Sequence, residues 1–342
     1  MGSRDAEELE QKLKQFFAQD PRFRFVKALP SGATGDCVCF EERDTAGRTR
    51  KIVLKYPNDS TEETIQAMEN EIKWVQILKH AEHTVNPIYI RNGPNEGLTG
   101  LDRVFIILEY LENGSLSQFV ERAEDVVLPN RILWSIFLCL TRACVAMAWP
   151  PEQGQPEEVQ PNVMPSALAH WDMHGGNMLF GHLGARQEHG LVPPLKLIDF
   201  DNSDTVDQEK VPNMSAVEEF DDELELAQYR REQGVTNPGI HANVLDVGLT
   251  MVRIVAEDPV LEVEDCREFI QNEHPLMDDD LQLLIVRCLA ADPGNRPKLD
   301  ELLHLAWNAV FSKTYRNTQY ENYETDARVR EIIQRFILNT NA

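Results

Sequence analysis

HWDMHGGNMLF, from His170 to Phe180, and LKLIDFD, from Leu195 to Asp201, are the stretches that decide the fold. The first holds the spacing H-x-D-x-x-x-x-N, with Asp172 and Asn177 as its polar ends. The second closes a short apolar run on another carboxylate, Asp199. Met178-Leu179-Phe180 and Leu195 to Ile198 read as a pair of short strands that hold these polar groups in place. Taken singly, each polar residue reads as an ordinary loop cap. Taken together they form an oxygen-donor set. One carboxylate can accept a hydroxyl proton and orient that hydroxyl. A second carboxylate and an amide oxygen suit a hard divalent cation. Transfer of a phosphoryl group from a nucleotide needs such a set.

Upstream, the chain is rich in short strands. Phe23 to Lys27, Cys37 to Glu41, Lys51 to Tyr56, Asn86 to Arg91 and Arg103 to Leu108 carry β-branched or aromatic residues between turn formers. LPSGATGDCVC, from Leu29 to Cys39, places Gly32 and Gly35 in a G-x-x-G hairpin, where a backbone without side chains can approach phosphate oxygens. KIVLK ends a strand on Lys55. One helix interrupts the strands, from Thr61 to His80, with Ile65, Met68, Ile72, Val75 and Leu78 as its apolar stripe. Glu71 lies flush with that stripe, so its carboxylate needs a partner, and Lys55 is the obvious one. After Gly114 the pattern turns helical. Arg131 to Ala148 is apolar on nearly every side and reads as a buried helix. A Pro- and Glu-rich loop begins at Pro150, and another loop spans Gly181 to Pro194. From Val244 the chain is mostly helical.

These motifs resemble the catalytic loop and the D-F-G motif of eukaryotic protein kinases. Two later segments extend the likeness. CLAADPGNRP, from Cys288 to Pro297, resembles the family's late helical motif C-L-x-x-D-P-x-x-R-P, and NVLDVG, from Asn243 to Gly248, resembles its D-x-x-x-x-G helix start. The resemblance runs from about Phe23 to Trp307, and its general look resembles divergent kinases of filamentous fungi. It implies an α+β, two-lobed protein kinase-like fold. Residues 1–20 are expected as a helical extension and 21–111 as a small antiparallel-sheet lobe with one key helix. Residues 112–342 are expected as a larger helical lobe, with loop insertions near 150–166 and 181–194 and a C-terminal helical extension.

The implied cofactors are ATP and Mg²⁺, and the implied reaction is phosphoryl transfer to Ser or Thr hydroxyls of a protein substrate. Asp172 orients the hydroxyl, Asn177 and Asp199 bind the metal, and the Lys55–Glu71 pair sets the phosphates. Gly32 and Gly35 correspond to the last two glycines of the family's Gly-rich loop. VFIILEYLENGSL resembles the hinge. Adenine is expected against Glu109 and Leu111, with Leu108 behind. His174 stands where Ser/Thr kinases place Lys and is expected to hydrogen-bond the transferred phosphate.

The sequence also departs from the family. Trp171 replaces the Arg that grips an activation-segment phosphate, so switching by such phosphorylation is not expected. Asp201 replaces the Gly of D-F-G, and a Cβ there restricts backbone flips. The A-P-E motif is missing. Asn237-Pro238-Gly239 is the nearest candidate, and it lacks the Glu that would pair with Arg296. EEFDDELELAQYRREQ reads as an acidic, helical insert before it. Two other readings stay open: an ATP-binding pseudokinase or scaffold, and a small-molecule phosphotransferase of the aminoglycoside or choline kinase type. CLAADPGNRP argues against the second.

Composition bounds the rest. A net charge of −24 repels nucleic acid and anionic membranes; it reads first as a solubilising surface, with a basic protein partner as the alternative. The six cysteines form no CxxC pair and have no His cluster beside them in sequence, so neither a disulfide framework nor a zinc site is expected. The opening MGSRDAEELEQKLKQF lacks the apolar core of a signal peptide, and no run of apolar residues is long enough to span a bilayer. An intracellular location, cytoplasmic or nuclear, is expected. The first helix should bury Leu9, Leu13, Phe16 and Phe17, with Ser3 as its cap and Asp20-Pro21 as its end.

Overall fold

The computed structural model describes residues 11–30, 32–44, 46–90, 104–184, 187–206, 237–272, 274, 276–313 and 323–339. The chain is α+β and divides into two compact units. The first takes in Met1–Lys79, Val85–Tyr110 and Asp199–Ser203. The second takes in His80–Thr84, Leu111–Ile198 and Asp204–Ala342.

Unit 1 is built on a four-stranded antiparallel sheet in the order β1-β2-β3-β4: β1 is Phe23–Ala28, β2 Gly35–Arg43, β3 Thr49–Pro57 and β4 Ile106–Glu109. β2 and β3 pair without interruption from Gly35↔Pro57 to Arg43↔Thr49, while the β1–β2 register slips between Phe25 and Lys27. Period-2 alternation puts Val38 and Phe40 of β2, and Ile52, Leu54 and Tyr56 of β3, into one apolar cluster. Helix α1, over 11–18, covers that cluster with Leu13 and Phe17, both buried. Phe17 stacks on Phe40 at 4.7 Å and meets Phe23 edge-on at 5.2 Å. The partner expected for this helix is therefore the sheet itself. Leu9 and Ser3 lie outside the described residues.

Helix α2, Glu62–Ile77, begins at the N-cap Thr61. It ends earlier than the sequence suggests, and its buried face is Thr64, Met68, Glu71, Trp74 and Val75, with Ile65 and Ile72 only half-buried. The expected strand Asn86 to Arg91 shrinks to one antiparallel bridge, Pro87↔Leu108, beside β4. Two backbone hydrogen bonds flank that bridge, Glu109 N donating to Asn86 O at 3.0 Å and Ile88 N donating to Ile107 O at 2.8 Å, so Pro87 sits where no ladder N–H is needed. Arg91 and Arg103 lie outside the described residues.

Unit 2 begins with the short helix α3, Leu116–Arg122, closed by a Ser115–Gln118 capping box. Its centre is α4, Asn130–Ala148, buried along almost its whole length. By length and composition α4 could cross a membrane, with mean hydropathy 1.6, but 94% of that window is inside the protein. It packs on α5 (Pro238–Val255), on α8 (Leu299–Ser312) and on strand β7 (Leu195–Leu197). The first backbone N–H groups of α4 have no side-chain cap from Pro129. Instead the buried Glu324 carboxylate accepts from Asn130 N at 2.7 Å and Arg131 N at 3.1 Å. Glu324 leads into α9, Asp326–Ile333, whose Val329, Ile332 and Ile333 are buried, and a π turn carries the chain to Leu338.

The remaining strands are short. β5 (Leu168–Ala169) pairs with β8 (Asp204–Thr205), and β6 (Met178–Phe180) pairs with β7. Helices α6 (Val263–Gln271) and α7 (Asp279–Cys288) complete the unit. Both Pro-rich insertions dip inward. Glu157 is buried in the first, and Glu188 and His189 in the second.

Candidate functional site

In unit 1, three residues singled out from the sequence converge. β3 delivers Lys55 from a position paired with Cys37 on β2 and Ile106 on β4. α2 delivers Glu71 on its buried face, and the segment Asp199–Ser203 delivers Asp199. Lys55 Nζ lies 2.5 Å from Glu71 Oε2 and 2.7 Å from Asp199 Oδ1. One ammonium thus sits between two carboxylates. Burial alone would pull the Lys55 pKa down, but Glu71 and Asp199 outweigh it and hold the amine protonated. Burial pushes Glu71 up to about 7 against the pull of Lys55, and the Asp199 charge adds to the rise. A structural ion pair is complete with two members. The third member, Asp199, is the least buried of the three.

The backbone at Asp199 is left-handed, with φ 67. A non-glycine residue there costs about 1–2 kcal/mol, and such strain collects at functional positions. The rest of the segment is pinned to α2. Asn70 Nδ2 donates to Asp201 O at 2.8 Å and Ser203 O at 2.7 Å, and Trp74 Nε1 donates to Ser203 O at 2.9 Å. Thr34 Oγ1, in the glycine hairpin, donates to Asp201 Oδ2 at 2.5 Å. Burial, with Asp199 beside it, raises the Asp201 pKa, and the hydrogen bond from Thr34 opposes that.

Gly32 N donates to Gly35 O at 2.9 Å and closes the hairpin. A Cβ on Gly35 would stand 3.0 Å from Tyr56 O and 3.2 Å from Lys55 Cε, so glycine there keeps the space beside the lysine open. Glu109 ends β4. Its N–H donates to Asn86 O at 3.0 Å and its carboxylate accepts from Asn86 N at 2.9 Å. The Glu109 side chain therefore turns back onto the protein. Leu111 opens unit 2, and both Leu108 and Leu111 are buried.

Unit 2 carries Asp172, His174 and Asn177. His174 caps a 3₁₀ turn, Gly175–Asn177, that feeds β6. Asn177 Nδ2 donates to Asp172 Oδ2 at 2.8 Å, which leaves the amide oxygen as the group suited to a hard cation. His174 Nε2 is 3.6 Å from Asp172 Oδ1, and both side chains are exposed. His170 organises the loop from beneath. Its Nδ1 accepts from Asp172 N at 3.2 Å and its Nε2 lies 3.0 Å from Ile198 O, a pattern satisfied by the neutral Nε2–H form. Asn243 Oδ1 accepts from His170 N at 3.1 Å, and its Nδ2 donates to Leu168 O at 2.8 Å. It does so from inside α5 and not from the start of a helix.

Trp171, at φ 65, is left-handed as well, as are Asp125 and Glu257 away from the loop, and it packs with Ala169, Val206 and Ala242. Asn237 caps α5 through Ile240 N. A Cβ on Gly239 would meet Ala167 O at 2.0 Å, so only glycine fits where this helix crosses the chain leading into β5. Arg296 is buried, and Asp246 of that helix acts on it as an opposite charge. It donates to His241 O at 2.8 Å and Ala290 O at 2.9 Å. The acidic insert EEFDDELELAQYRREQ lies outside the described residues.

Asn70, Trp74 and Thr34 were not singled out from the sequence. Trp74 had a signal, because it follows Glu71 by one helical turn and so shares its face. Asn70 and Thr34 had none. No protein-family model matches the chain, and no curated protein is similar to it.

Proposed function

We propose that the chain is an ATP- and Mg²⁺-dependent phosphotransferase with a protein kinase-like fold, acting on Ser or Thr hydroxyls of a protein. The observation that carries the reading is Lys55 held between Glu71 and Asp199 at 2.5 and 2.7 Å. The donor set fits the cofactors. Lys55 suits phosphate oxygens, and Asp199 and the Asn177 amide oxygen are hard ligands suited to Mg²⁺. When bound, the metal neutralises charge on the phosphates and polarises the group to be transferred. Glu71 keeps Lys55 extended. Asp172 accepts the hydroxyl proton and aims the oxygen, while Asn177 restrains its rotation. His174, when protonated, donates to a phosphate oxygen. The net negative charge favours basic substrates.

The experiment is thermal unfolding with ATP, with and without Mg²⁺, followed by phosphate transfer to basic proteins. At a hundredfold excess over Kd, binding adds about 2.7 kcal/mol. A Mg²⁺-dependent rise in Tm is expected, lost in both Asp199→Asn and Asn177→Ala. Asp172→Asn should keep the rise and lose transfer by roughly 10³-fold or more. No rise at saturating ATP sinks the reading. Faster turnover of a small alcohol or amino sugar would move the acceptor from protein to small molecule. A second reading, nucleotide binding without transfer, is favoured by Trp171, whose packed indole occupies the place of the family's phosphate-gripping Arg. A Tm rise with no transfer to any acceptor is its expected outcome.

A further inference from the structure

Beneath the catalytic loop, unit 2 holds a second cluster with no part in phosphoryl transfer. His83 follows α2, Cys139 lies mid-way along α4, and His189 ends a 3₁₀ turn in the Gly181–Pro194 loop. All three are buried, and their ligand atoms lie within 4.8 Å of one another. We propose that His83, Cys139 and His189, with Glu188, form a structural zinc site that staples three distant segments of unit 2 together.

Geometry is the first argument. His83 Nε2 and His189 Nε2 are 3.1 Å apart. Two imidazole nitrogens on a tetrahedral zinc, each bonded at about 2.0–2.1 Å, lie roughly 3.3 Å apart. Two histidines, a thiolate and a carboxylate are all donors that zinc accepts at four-coordination. Glu188 Oε1, 3.9 Å from His189 Nε2, lies outside the three-residue group and would turn in as the fourth ligand. Thiolate and carboxylate together neutralise the dication, so no net charge is buried.

The surroundings are the second argument. Glu157 Oε1 faces His83 Nδ1 at 3.2 Å. A proton on Nδ1 turns the Nε2 lone pair toward the cluster, the carboxylate–histidine–metal arrangement of zinc proteins. Arg142 braces both acidic residues, donating to Glu188 Oε2 at 2.9 Å and to the Glu157 carbonyl at 2.7 Å. The N–H of Leu195 donates to Cys139 Sγ at 3.4 Å, which stabilises a thiolate. Binding releases the Cys139 proton to solvent. Cysteine spacing in the sequence argued against zinc, but His83 and His189 stand 106 residues apart and no spacing rule covers such a site.

The test uses the full chain. Purified protein should contain one equivalent of zinc by mass spectrometry. X-ray absorption at the zinc edge should show one sulfur at about 2.3 Å and two imidazoles at about 2.0–2.1 Å. Cobalt(II) exchanged into the wild type should give a thiolate charge-transfer band that Cys139→Ser abolishes. Glu157→Gln, which leaves every ligand in place, should weaken zinc binding roughly 10–100-fold. The proposal is overturned if folded wild type holds no zinc and gives no cobalt–thiolate band. A zinc shell without sulfur overturns it too, as does a band that survives Cys139→Ser. If Cys139→Ser does not fold, the absorption spectrum of the wild type decides alone.

Discussion

At the scale of single residues, the Lys55 triad is a buried charge system whose members depend on one another. Lys55 and Glu71 are almost fully buried and Asp199 less so. Removing the ammonium leaves Glu71 without compensation, which for buried pairs costs about 3–5 kcal/mol. Lys55→Met is therefore expected to lose about that much in urea unfolding. Lys55→Met with Glu71→Leu should regain most of it, because the one charge then left unpaired, on Asp199, is partly exposed and can be solvated. A double-mutant cycle reads the coupling, and additive effects would show that the pair is not coupled as drawn. Lys55, Glu71 and Asp199 were legible in the sequence because each sits in a local pattern: a strand end, a helix stripe, an apolar run closed by Asp. Thr34, Asn70, His83, Cys139 and His189 were not, because their roles arise from long-range convergence and leave no local periodicity.

At the scale of elements, the sheet and the long helices were readable from period-2 and period-3.6 patterns. The differences are local. Asn86 to Arg91 has the apolar residues of a strand, yet it meets β4 at a single bridge, Pro87↔Leu108, flanked by two backbone hydrogen bonds. α2 buries Met68, Glu71 and Val75 as its stripe implies, but Ile65 and Ile72 are only half-buried, and Trp74, whose indole donates to Ser203 O, joins the buried face. The start of α4 was readable to within one residue, but its cap was not, because that comes from Glu324, 194 residues away. Glu324→Ala leaves buried N–H groups of α4 unsatisfied, at about 1–3 kcal/mol. Denaturant melts should show that loss, and hydrogen exchange should show it concentrated at Asn130 and Arg131. An unchanged midpoint would mean that water replaces the carboxylate at no cost.

At the scale of the whole molecule, charge dominates. A net −24 makes the folded chain repel itself, and screening relieves that repulsion. Raising NaCl from about 10 mM to about 150 mM shortens the screening length from roughly 30 to 8 Å. Stability should rise by about 1 kcal/mol, or ~1–2 °C in Tm for a chain of this size. Scanning calorimetry across that range is the check. A falling Tm would mean that attractive pairs such as Lys313 with Asp278 outweigh the net repulsion.

The buried helix α4 also has a history in time. It is made long before α5 and α8, the helices that cover it. At about 5–20 residues per second, the ribosome takes roughly 8–30 s to finish α8 after α4. For that interval a 19-residue segment, apolar enough to pass for a membrane span, stands outside any core. The nascent chain must therefore be sheltered by a holdase, or risk capture by the machinery that inserts membrane proteins.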